Sequence, residues 1–154
     1  MTDDTVLAAR DHRQAMMEVL GDPDAVKFCE SFFFITQVWD DLVDGDRKVD
    51  KADVDRAFWL AMVEMPANPF YALHGPALNA FIAQSACAWF DANELEQGTT
   101  HEKTLAFVLR DAVGGLISLC AYLLGGYDWM RAVSPGIRRL VHDEPLGKYL
   151  RGLK

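Results

Sequence analysis

The chain has 154 residues, 51% apolar and 25% charged, a composition that supports a hydrophobic core and excludes disorder as the dominant state. Fifteen basic residues against 23 acidic ones give a net charge of −8, which disfavours broad nucleic-acid binding because phosphate neutralisation requires basic density. Asp, Arg, Gly or Gln interrupts every apolar stretch before about 18–20 residues, so no membrane span is expected, and the charged start MTDDTVLAARDHRQ lacks the apolar region of a signal peptide.

In chain order, residues 4–20 read as an amphipathic helix marked by Val6, Leu7, Met16, Met17 and Leu20, which Gly21 ends. Asp22-Pro23 pairs an N-cap with a proline at the first helical position and opens a helix over 23–44. Asp50 caps a third helix that runs to about Met65, with Val54, Phe58, Ala61, Met62 and Met65 on one face and Pro66 as its stop. Asn68-Pro69 starts another short helix that Gly75-Pro76 interrupts, and a long apolar helix follows over 76–96. Thr99-Thr100-His101-Glu102 is a capping box that opens a helix over 100–124, closed by Gly125-Gly126. A weaker helical region covers 135–152. Strand signals are almost absent. The expected fold is an all-α, single-domain bundle of about 5–7 helices over residues 1–154, with the apolar helices at 23–44, 76–96 and 100–124 placed centrally.

Charge is unevenly spread. Residues 1–64 hold 15 acids and 7 bases, whereas residues 131–154 hold 6 bases (Arg131, Arg138, Arg139, Lys148, Arg151, Lys154) and 2 acids. The basic end reads as a solvated tail or as a contact for an acidic partner or a phosphate. Cys29, Cys87 and Cys120 are odd in number, widely spaced and set among apolar residues. They read as buried free thiols in a reducing, cytoplasmic compartment, of a bacterial or host cell. No Cys/His spacing and no HExxH pattern suggests zinc.

The unusual feature is acidic. Along the second helix Glu30, Gln37, Asp41 and Asp44 follow spacings of seven, four and three and share a stripe, with Asp40 one turn before Asp44. Three carboxylates at a helix C-terminus oppose the macrodipole and repel one another, and a cation would neutralise them. Oxygen ligands alone suit Mg²⁺. The bland alternative is a helix end that runs into a solvated acidic loop, since Asp46, Asp50, Asp53 and Asp55 follow.

The segment Asp40-Asp41-Leu42-Val43-Asp44-Gly45 resembles the first aspartate-rich DDxxD motif of the trans-isoprenyl diphosphate synthases, and Glu30 falls where those enzymes commonly carry a Glu. The resemblance implies that Asp40, Asp41 and Asp44 hold Mg²⁺ against a substrate diphosphate, in a truncated isoprenoid-synthase-like arrangement. The likeness is local. Trp39 stands where the family has His, Arg47-Lys48 lies closer than its arginine pair, and neither a second DDxxD nor an NDxxSxxxE triad is present. The chain as a whole is similar to small helical proteins of tailed phages and prophages, through TQVWDDLVDGD, RAFWLAMVE with PANPFY, and HEKTLAFVLRD.

On the later helices His101, Thr104 and Asp111 share a face, and Arg110 sits beside Asp111. Arg110 and Asp111 read either as a buried structural pair or, with Glu30 and Gln37, as support for the metal and a phosphate. Gly114, Gly115 and Ser118 allow close helix approach. Gln84, Asp91 and Glu94 read as surface. The leading expectation is a carboxylate Mg²⁺ site at Asp40, Asp41 and Asp44 that engages a small diphosphate or nucleotide, with no assigned reaction. The alternatives are a non-enzymatic phage assembly or host-interaction protein, self-associating or not, whose acidic cluster is a solvated helix end, and an all-α nucleoside triphosphate pyrophosphohydrolase. The last would pair Asp41-Leu42-Val43-Asp44 with an ExxE that this chain lacks.

Overall fold

A computed structural model describes residues 3–45 and 47–153, with side chains from residue 11 onward. The side chains of Val6 and Leu7, and Asp46 and Lys154, lie outside the described residues. The protein is all-helical, without a strand among the described residues. The elements are α1 (Asp3–Leu20), α2 (Pro23–Asp44), α3 (Lys51–Trp59) continued by a π-helical turn (Leu60–Glu64), α4 (Pro69–Leu95), α5 (Thr100–Leu109), α6 (Ala112–Val141) and α7 (Leu146–Gly152). The chain divides into two compact units, Met1–Gly75 and Pro76–Lys154.

The caps read from the sequence form. Asp22 accepts from the Ala25 amide at 2.8 Å, Asp50 accepts from the Asp53 amide at 2.9 Å, and Thr99 and Glu102 close a reciprocal capping box. Each satisfies donors that a helix start leaves orphaned. Asn68 does more than cap α4. Its Oδ1 accepts from the Tyr71 amide at 3.0 Å, and its Nδ2 donates to the Asp24 carbonyl at 2.9 Å, which ties the start of α4 to the start of α2.

The core of the first unit is built mainly by α2. Ala25, Val26, Phe28, Cys29, Phe32 and Val38 are buried, joined by Met16, Leu20, Leu60 and Phe70. Phe28 stacks on Tyr71 with ring centroids 5.6 Å apart. In the second unit Leu116, Ile117, Cys120 and Ala121 of α6 are buried, with Leu78, Ala92, Ala106 and Ile137.

Five expectations are corrected. Gly75-Pro76 does not end a helix, because α4 runs unbroken through Pro76. Gly75 has no Cβ to clash with the proline ring, so the usual penalty on the preceding residue is relieved, and the position marks instead the boundary between the units. The helix expected over 100–124 breaks at Arg110-Asp111, where both backbones leave helical geometry. Beyond it α6 passes Gly126 through a positive φ of 74°, a conformation that favours glycine, and the last helical region divides at His142 into the end of α6 and α7. Cys87 is exposed, whereas Cys29 and Cys120 are buried, and all three are free thiols. Finally, the helix expected centrally over 76–96 is not covered on most sides, since Ala83 and Phe90 stand exposed.

Thr100–Val141 is long and apolar enough to cross a membrane by length and composition alone. Its breaks at Arg110-Asp111 and Gly126 leave Ala112 to Gly125 as the uninterrupted apolar run. That run is about 21 Å long at the helical rise, short of a hydrocarbon core of about 30 Å.

Candidate functional site

The seven residues singled out in the sequence fall in two places. Glu30, Gln37, Asp40, Asp41 and Asp44 belong to the first unit, and Arg110 and Asp111 to the second.

Asp41 alone among the three aspartates is buried, whereas Asp40 is half-buried and Asp44 exposed. Asp41 sits one turn beyond buried Val38, and the helix then ends at Gly45. The Gly45 amide donates to the Asp41 carbonyl at 3.1 Å in a left-handed cap, with φ of 68°. Beyond the cap, Arg47 reaches back to the carboxylate. Arg47 donates to Asp41 Oδ2 from Nε at 2.9 Å and from Nη2 at 2.9 Å, and Gln37 Nε2 donates to Oδ1 at 3.2 Å. Both oxygens of the buried carboxylate therefore have donors within the chain, and its charge is balanced by a guanidinium. Gln37 is exposed and reaches Asp41 along the helix surface, so the polar stripe is an edge of α2. Glu30 is half-buried and ion-paired with Arg13 of α1. Among the described residues no group of three or more His, Cys, Asp or Glu is placed to hold a metal ion.

Arg110 and Asp111 do not pair with each other. Arg110 donates through Nε to Glu96 at 2.6 Å and through Nη2 to Asn93 at 2.7 Å, whereas Asp111 is ion-paired with Arg138. The Tyr149 hydroxyl of α7 also donates to Glu96, and the Tyr149 ring lies 5.1 Å from that of Phe107. Burial, followed by the bond to Glu96, pushes the Tyr149 hydroxyl from its ordinary 10.0 up to about 12. Gly114 makes room for Asp111, since a Cβ there would lie 2.6 Å from Asp111 Oδ1. That oxygen is buried without a hydrogen-bond partner among the described residues. His101 is exposed, as are Gln84, Asp91 and Glu94, the last three as expected.

Sequence reasoning missed Glu96, Tyr149 and Arg138. Asn93 in the last turn of α4 and Glu96 just beyond it are three apart, and that spacing was available in the sequence. Nothing local marks Tyr149, which reaches Glu96 across 53 positions.

The first unit also holds a cleft of about 370 Å³ whose walls include Arg13, Lys27, Arg56 and Glu30. Comparison with protein-family models, curated proteins and solved structures yields no match to this chain.

Proposed function

We propose that the protein is a non-enzymatic helical interaction protein in which the Asp40-Asp41-Asp44 cluster is a structural helix end. The observation that carries this reading is the engagement of both Asp41 oxygens by Arg47 and Gln37. A Mg²⁺ ion at Asp41 would have to displace a guanidinium that already balances the carboxylate, and it would strip part of its own tightly held hydration in doing so. The exposed apolar side chains support an interaction role. On α3 and its π-helical turn Phe58, Trp59 and Met62 are 63%, 54% and 72% exposed, and exposed apolar surface of this kind marks contact sites when it is contiguous. The likeness to small phage helical proteins favours assembly or host interaction as the setting. The three free cysteines accord with the cytoplasm.

Calorimetric titration with Mg²⁺ and Mn²⁺, with and without pyrophosphate, on the wild type and on Asp41→Ala tests the reading. The expected result is no saturable binding in either protein. Saturable metal-dependent pyrophosphate binding that disappears in Asp41→Ala would overturn it and restore the diphosphate site implied by the DDxxD resemblance.

A further inference from the structure

The cleft of the first unit has no part in the acidic helix end. Arg13 from α1, Lys27, Glu30 and Phe34 from α2, Arg56 from α3 and Leu60 from the π-helical turn line its volume of about 370 Å³, within the range of about 300–1,000 Å³ typical of small-molecule sites. Its charges are ordered. Arg13 is paired with Glu30, while Lys27 and Arg56 share Glu64 at 3.2 and 2.6 Å. The Trp59 indole N–H donates at 3.1 Å to Glu64 Oε1, the oxygen that also takes Arg56. Arg56 and Lys27 hold the Glu64 carboxyl below its ordinary range, so it is ionised at neutral pH. Among the described residues three cations thus face two carboxylates, which leaves one surplus positive charge, in a stretch, residues 1–64, whose 15 acids and 7 bases run the other way.

The surplus is accessible. The Arg13, Lys27 and Arg56 side chains are about half exposed. Each guanidinium carries further N–H donors beyond the Nη1 it gives to its carboxylate. Phe34 and Leu60 supply an apolar wall beside these heads.

We propose that this cleft binds a small organic monoanion, a carboxylate on a compact apolar stem, with the carboxylate against Arg13, Lys27 and Arg56 and the stem on Phe34 and Leu60. One carboxylate balances the surplus charge, and its two oxygens match the fork of a guanidinium. A dianion would over-neutralise the site, and a neutral ligand would leave the cations uncompensated.

Phenylacetate is the probe, titrated into the full chain and followed by proton–nitrogen correlation spectra. Saturable binding is expected, with amide shifts centred on Lys27, Glu30 and Arg56. 2-Phenylethanol, which keeps the stem without the charge, binds at least about tenfold more weakly, as does inorganic phosphate, which has charge without the stem. Arg13→Gln and Lys27→Met each weaken phenylacetate about tenfold. Lys51→Met, which removes an exposed cation paired with Asp55, leaves it unchanged. Circular dichroism confirms that each variant is folded, and the comparison among the three probes holds on the wild type even if a variant is not. Absence of saturable phenylacetate binding, equal binding of the alcohol, tighter binding of phosphate, or indifference to both cleft variants would each overturn the proposal.

Discussion

Two carboxylates, buried Asp41 in the first unit and half-buried Glu96 in the second, are neutralised by arginine in different ways. Asp41 is held by Arg47, six residues onward, whose side chain is 60% exposed. Glu96 is held by Arg110, fourteen residues onward, whose side chain is 21% exposed, and it also receives the Tyr149 hydroxyl from α7. The first arrangement closes a helix end on itself. The second joins the turn after α4, the end of α5 and the C-terminal α7. An arginine largely in water contributes a screened interaction, whereas one withdrawn from water leaves a costly uncompensated charge when it is lost.

Removing the withdrawn arginine is the strongest way to break this contrast. Arg110→Met should destabilise the protein by about 3–5 kcal/mol, because Glu96, whose side chain is only 12% exposed, loses its cation. Urea unfolding measures the loss, and a change below about 1 kcal/mol would mean that the two sites do not differ as described.

A smaller effect sharpens the role of α7. Tyr149→Phe keeps the ring against Phe107 and removes the hydroxyl given to Glu96, at an expected cost of about 1.5–3 kcal/mol for a hydrogen bond to a charged group. The same substitution has a pH signature. The folded state holds the Tyr149 proton more tightly than the unfolded state does, since its pKa rises from 10.0 to about 12. The associated stability is therefore complete below the unfolded value of 10.0 and is lost as the pH rises through about 12. Wild type minus Tyr149→Phe, measured by denaturant unfolding across that window, should show this decline, and a flat difference would count against the Tyr149–Glu96 bond.

The smallest effect is expected at the helix end. Arg47→Ala should cost about 0.5–1 kcal/mol, because water can reach the carboxylate edge that the exposed guanidinium leaves. A loss as large as that of Arg110→Met would show that Asp41 depends on its arginine as fully as Glu96 does.

The helices and their caps were legible because they are local. Asp22, Asp50 and Thr99 act on amides three residues away, and Pro23 sits where its missing N–H costs nothing. The break at Gly126 was legible because a glycine pair marks where the chain can take a positive φ. The passage of α4 through Pro76 was not legible. Whether a proline ends or merely inhabits a helix depends on packing along its whole length, and the sequence supplies only the permissive Gly75.

The candidate site was legible as composition and misread as pairing. The acidic stripe on α2 is real, yet which of its members is buried was decided by where the helix ends and how Arg47 returns. Arg110 and Asp111, adjacent in sequence, take separate partners in Glu96 and Arg138. The two stand at the break between α5 and α6, where both backbones leave helical geometry. The sequence by itself determined the helical elements, their caps and the uneven charge, since each depends on side chains within a turn of one another. Only the tertiary structure decided which acid met which base, because a salt bridge depends on distance in space, and residues 14, 27 or 53 positions apart come within reach of each other only when helices pack.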